Sequence, residues 1–180
     1  MNYILKNLLT IYKKKGFDLM EITFNITEKD LWEFNKYISL RSFGFKLYIL
    51  LIFLFHLAII LFFFYGTLTI YGIYGLITGD IIGFYLKYSL TKKRLIKDSQ
   101  NEGTFNERTI HINEEGISII TDTFNKFVKW KAVHKIDILD KYIYILFSSR
   151  SGIIVPKRFF NSENEAIQFY NMSNDFFNMK

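Results

Sequence analysis

The chain has 180 residues, 50% of them hydrophobic, with no cysteine, one proline and a net charge of +6. Without cysteine there is no disulfide scaffold, thiolate metal site or thiol nucleophile, so three histidines remain as candidate metal or acid-base groups. The hydrophobic residues are not spread evenly: positions 47 to 79 carry no formal charge, and Asp80 alone interrupts the stretch from Leu47 to Leu86.

In residues 1–19, Ile4, Leu5, Leu8, Leu9 and Tyr12 recur at helical spacing ahead of Lys13, Lys14, Lys15 and Gly16, which predicts an amphipathic N-terminal extension lying on the inner leaflet. Lys6 interrupts the apolar run and no small-residue cleavage site follows, so the segment does not read as a signal peptide. Met20 is an equal candidate for the natural start. Residues 20–46 predict a β-α unit. Ile22, Phe24 and Ile26 alternate with polar residues as in a half-buried strand. Thr27 and Asp30 form a capping box with aspartate in place of glutamate, and Leu31, Phe34 and Ile38 make a helical stripe.

A single helix over residues 47–86 would run about 60 Å, twice the hydrocarbon thickness of a bilayer. Two spans are expected instead, Leu47 to Tyr65 and Leu68 to Tyr88, turning at Gly66 and Thr67 to give a transmembrane hairpin over 47–88. Lys29, Lys36, Arg41 and Lys46 precede it; Lys87, Lys92, Lys93, Arg94 and Lys97 follow it; the turn is uncharged. Flanking cations resist translocation, so both termini are expected in the cytoplasm and the protein in the cell membrane as a multi-pass chain. The basic cluster after the second span reads as a stop-transfer signal, with attraction of anionic lipid headgroups as the alternative.

Within the second span Gly72, Gly75, Gly79 and Gly83 fall on one helix face, the usual seam for close helix packing. Span one is the expected partner, with a homodimer through the stripe as the alternative. Asp80 near mid-span needs a proton or a partner. His56, central in span one, stands at nearly the same depth in an antiparallel hairpin. The pair reads either as a proton- or ion-responsive element or as a neutral bond fixing hairpin register.

Residues 89–103 are expected as a basic and polar linker, and residues 104–180 as a C-terminal β domain. Its predicted strands are Glu107 to Ile112, Ile117 to Thr121, Phe127 to Val133, Lys135 to Leu139, Tyr142 to Phe147 and Gly152 to Val155, joined by short turns as an antiparallel meander. Ser162 and Glu165 cap a closing helix with Ala166, Phe169, Tyr170, Phe176 and Phe177 at helical spacing. The fold class is thus a membrane α-hairpin joined to a cytosolic α+β domain. Residues 104–180 hold 10 basic and 9 acidic side chains, too even a balance for nucleic acid as the main partner.

No phosphate-binding glycine loop, zinc-protease helix or nucleophile elbow is present, and no catalytic residue, metal site or cofactor is assigned. His111 and His134 would have to converge with Glu114 or Glu115 to hold a metal; as isolated strand histidines they read as surface or hydrogen-bonded residues. The run Ile153 to Phe160 (IIVPKRFF) sets Lys157 and Arg158 between a strand-ending proline and two aromatics, where the cations could bind a carboxylate, a phosphate headgroup or an acidic protein surface.

The segments EITFNITEKDLWEFN (21–35), HINEEGI (111–117), KW (129–130) and PKRFF (156–160), in this order around the two spans, resemble the YcxB-like family of small bacterial membrane proteins. The resemblance implies the two-span topology and a compact β domain similar in outline to pleckstrin-homology-like modules, and it brings no catalytic residues with it. The function expected is that of a membrane-anchored, non-enzymatic interaction or regulatory protein, with Trp130, Lys157 and Arg158 as the binding surface for a protein or headgroup. Two other classes stand beside it: an immunity protein against a membrane-acting toxin, and a small transport or ion-responsive module built on His56 and Asp80.

Overall fold

Alternation of polar and apolar residues builds most of the β elements. In the computed structural model, which describes residues 20–64, 70–101 and 104–179, β1 (Met20–Phe24) buries Ile22 and Phe24 and leaves Glu21 and Thr23 exposed. It pairs antiparallel with β2 (Arg108–Ile112), setting Ile22 opposite Ile110. β2 pairs with β3 (Gly116–Thr121) and β3 with β4 (Asn125–Lys129), giving a four-stranded sheet in the order β1-β2-β3-β4. The β2–β3 turn is held by Asn113, whose Oδ1 accepts from the backbone N–H of Glu115 and of Gly116 at 2.9 Å each. Gly116 is required there: a Cβ would lie 2.3 Å from the Val128 carbonyl oxygen.

The single meander expected from sequence is not formed. After β4 the chain makes a 3-10 turn (Trp130–Ala132) that takes Trp130 into the core, and the remaining strands make a second sheet. This sheet is β5 (Lys135–Ile138), β6 (Tyr142–Leu146) and β7 (Gly152–Pro156), in that order and antiparallel. All five residues of the central strand β6 are buried.

Four helices are described. They are α1 (Glu28–Arg41), α2 (Phe43–Phe64), α3 (Ile70–Asn101) and α4 (Glu163–Asn178). Ser162 caps α4, its Oγ accepting from the Glu165 N–H at 3.1 Å, while the Glu165 carboxylate reaches back to the Asn161 N–H at 2.6 Å. Ala166, Phe169, Ser173 and Phe176 form the buried stripe of α4, with Phe169 against Phe160 and Phe176 against Trp130.

The chain divides into two units. One joins the segment up to Leu31 with the segment from Phe105 onward, and the other comprises Trp32–Thr104. The first is therefore not the C-terminal stretch alone, because β1 supplies the edge strand beside β2. It is an α+β unit of two antiparallel sheets and a closing helix.

The second unit is helical. Among the described residues, one helix is long and apolar enough to cross a bilayer: Phe43–Leu61, with a mean hydropathy of 2.3 and none of its residues buried in the protein. Residues 89–101, expected as a linker, continue α3 instead, because they contain neither glycine nor proline and are rich in lysine, arginine and leucine, which favour helix. The N-terminal extension and the turn at Gly66 and Thr67 lie outside the described residues.

Candidate functional site

Asp30 is where the chemistry of the α+β unit converges. Thr27 and Asp30 open α1 as the capping pattern dictates: the Thr27 N–H and hydroxyl donate to Asp30 Oδ2 at 2.7 and 2.8 Å, and the Asp30 N–H donates to Thr27 Oγ1 at 3.3 Å. The rest of the carboxylate serves residues far along the chain. Pro156 ends β7, and a 3-10 turn over Lys157–Phe159 brings Arg158 to Asp30. Arg158 Nη1 donates to Oδ1 at 2.8 Å and Nη2 to Oδ2 at 2.6 Å, a bidentate fork. Tyr142, first residue of β6, adds its hydroxyl to Oδ1 at 2.8 Å. Asp30 is 2% exposed, whereas the Arg158 side chain is 45% exposed.

Five donated bonds decide the electrostatics. Burial alone would raise the Asp30 pKa, but the bonds from Arg158, the Thr27 backbone, Tyr142 and the Thr27 hydroxyl outweigh it and bring the value down to about 2. The same carboxylate raises the pKa of Arg158, against the opposing effect of its partial burial. A carboxylate so fully engaged is neither a general acid at neutral pH nor a free base. It fixes the α1 start, β6 and the β7 exit to one another.

Above this cluster lies a cleft of about 480 Å³. Its walls carry Lys29, Lys141 and Lys157 beside Arg158, and Asp140 and Glu163 beside Asp30. Lys157 Nζ is held by Glu163 Oε1 at 2.7 Å, and the Lys157 N–H donates to the Lys141 carbonyl at 3.0 Å. With Arg158 and Lys157 matched to internal carboxylates, Lys29, Lys141 and Asp140 are the remaining charged groups of the cleft. The cations that sequence offered as ligand-binding groups thus bind carboxylates of their own chain.

Trp130 does not belong to a binding surface. It is 3% exposed, its indole N–H donates to the Asn113 carbonyl at 2.7 Å, and its ring packs on Phe176. An amphipathic ring with its one donor satisfied internally is a core strut, and this overturns its expected role.

In the helical unit, His56 Nε2 lies 2.6 Å from Asp80 Oδ2, and His56 Nδ1 lies 2.7 Å from the Ile52 carbonyl oxygen. A carbonyl only accepts, so the contact with Ile52 is a hydrogen bond donated by Nδ1, and Nε2 faces the Asp80 carboxylate at hydrogen-bond distance. Among the described residues the glycine stripe does not seat α2: beyond the backbone of its own helix, a Cβ at Gly75, Gly79 or Gly83 would meet no heavy atom within 4 Å. Gly72 lies on the same helix. His111 Nδ1 is 3.5 Å from Glu21, and burial lowers its pKa against the opposing charge of Glu21. Among the described residues no cluster of three or more His, Asp or Glu side chains could hold a metal ion.

Sequence reasoning missed Asp30 and Tyr142 as members of the site. The signal for Asp30 was present but fully explained by helix capping, and its arginine partner stands 128 residues away.

Comparison with known proteins bears on the same region. Residues 112–173 match the family model described as YcxB-like protein, a span that includes Tyr142, Lys157, Arg158 and Glu163 but not Asp30. Over 85 residues the chain is 29% identical to the "Uncharacterized protein YcxB" of Bacillus subtilis (strain 168), which covers 47% of this chain and 43% of that protein. The chain therefore matches less than half the length of that curated relative.

Proposed function

We propose that the chain is a membrane-anchored, non-enzymatic interaction protein. A two-span hairpin built from α2 and the first part of α3 fixes it in the cell membrane with both termini cytoplasmic, and a pleckstrin-homology-like α+β unit works at the inner surface. The observation that carries this reading is α2. Nineteen residues of high hydropathy, none buried in protein, would expose a large apolar area to water, and lipid is the solvent that removes that cost. The partner side of the reading rests on the cleft, where Lys29 and Lys141 face outward beside a locked framework and suit an acidic group of a protein.

The His56–Asp80 contact supports a second reading, an ion-responsive role for the same anchor. Single cysteines at positions 67 and 162 test the topology in intact cells. Position 67 is expected to react with a membrane-impermeant thiol reagent and position 162 to be protected until the cells are opened. Labelling in the opposite sense would reverse the orientation, and release of the protein by alkaline carbonate would end the membrane reading.

A further inference from the structure

We propose that the helical unit carries a site for one anionic phospholipid in the groove where α1, α2 and α3 converge. The proposal rests on the membrane reading and gives it a ligand and a place. The groove has a volume of about 270 Å³. Leu40, Phe45 and Phe84 give it an apolar floor, Trp32 forms a wall, and Lys36 and Lys87 bring cations to it. It is built rather than incidental. The Trp32 indole N–H donates to the Tyr88 hydroxyl at 2.8 Å with the rings edge-on at 4.7 Å, and Lys87 Nζ lies 3.8 Å from the centroid of the Tyr48 ring.

Depth identifies the occupant. The His56–Asp80 contact marks a common level on the two spans. Tyr48 stands eight residues before His56 and Lys87 seven after Asp80, so both lie about 10–12 Å from that level on the same side. Half the hydrocarbon core is about 15 Å, which puts the groove at the border between acyl chains and headgroups, where tryptophan and tyrosine collect.

Charge then selects among the molecules found at that border. The unit Trp32–Thr104 carries eight cations and four acids, Glu33, Asp80, Asp98 and Glu102; Glu33 is bonded to Lys36 at 2.8 Å, and Asp80 is in contact with His56. A second copy of the chain would bring another net positive unit to the same place, and a zwitterionic lipid would bring an ammonium group of its own. A phospholipid with net negative charge brings an apolar tail for the floor and a phosphate for the lysines.

The test uses Trp32 as its own reporter. The chain has two tryptophans, and the other, Trp130, is 3% exposed in the α+β unit, so the Trp32→Phe variant supplies the background to subtract. The full chain is reconstituted in phosphatidylcholine vesicles doped with acyl-brominated phosphatidylglycerol or, at the same mole fraction, acyl-brominated phosphatidylcholine. Half-maximal quenching of Trp32 is expected at an about fivefold lower fraction of the anionic lipid, the factor one interfacial lysine is worth.

Lys87→Gln should abolish that preference, and Lys36→Gln should weaken it if Lys87→Gln inserts poorly. Lys93→Gln, which removes the same charge outside the groove, should leave it unchanged. Equal quenching by the two lipids from protein that floats with the vesicles would overturn the site while leaving the anchor standing, and so would equal loss of preference in the Lys87 and Lys93 variants. Protein that fails to float would overturn the membrane reading and this proposal together.

Discussion

Asp30 and Asp80 are each held by a basic side chain, and their surroundings make them different objects. Asp30 receives five bonds from three residues, is 2% exposed and is locked in its ionised form. Among the described residues Asp80 is held by His56, at 2.6 Å, and its side chain is 54% exposed. A carboxylate surrounded by fixed donors holds elements together over a wide pH range, whereas one that meets a single side chain joins only the two helices that carry the pair.

The strongest way to break the comparison is to remove Asp30. Asp30→Ala leaves the Tyr142 hydroxyl, the Thr27 N–H and the Arg158 fork without their acceptor, and a loss on the order of 3 kcal/mol in unfolding free energy of the α+β unit is expected. Denaturant unfolding in mild detergent measures it. A change no larger than that of a surface substitution would mean that the cluster is not a framework.

Acid should reveal the same carboxylate. Its folded-state pKa of about 2 lies below the ordinary value of 3.8, so its contribution is complete above about pH 4 and disappears as pH falls through about 2. Because Arg158 is half in solvent, the loss is expected to be about 1–2 kcal/mol rather than the full value of the shift. Asp30→Asn should flatten the stability profile over that window. His111, whose pKa is lowered by burial, adds a shallower loss that begins below its ordinary value of 6.5, since the folded state resists the proton that the unfolded chain accepts.

For Asp80 the sharper experiment is a double-mutant cycle with His56. A coupling of about 1 kcal/mol is expected, the size found for polar pairs between membrane helices, with the double alanine variant more stable than His56→Ala alone. Additive effects on thermal unfolding would show that the two side chains do not depend on each other. The smallest effect is expected at the mouth of the cleft, where Glu163→Gln removes the charge of an exposed carboxylate but keeps an amide oxygen that can still accept from the largely buried Lys157, and stability should change by about 1 kcal/mol.

What the sequence revealed and what it hid divide along the distance between interacting residues. The alternation in β1, the Asn113–Gly116 turn, the Ser162 cap and the apolar run of α2 are local patterns, and each is found within a residue or a few of its expected place. The bond from Arg158 to Asp30 joins residues 128 positions apart, and no local pattern encodes it; the alternation at Ile22 to Ile26 allows that strand to complete the C-terminal sheet, but its partner β2, more than 80 positions away, is not written in it. Trp130, between two lysines, reads as a surface element in sequence, and the 3-10 turn takes it inward. The glycine stripe showed which face of α3 can be approached closely, but not that α2 leaves Gly75, Gly79 and Gly83 open.

The central claim is that α2 lies in lipid and anchors the α+β unit. Spin labels placed one at a time at Phe53, Leu54, Leu57 and Leu61 of the reconstituted full chain test it most directly, since all four side chains are exposed on the protein. The account predicts high accessibility to molecular oxygen and low accessibility to a water-soluble nickel chelate at every one of these sites, whichever side of the helix they occupy. High accessibility to the chelate along the helix, or low accessibility to both reagents, would place α2 in water or against protein and contradict it.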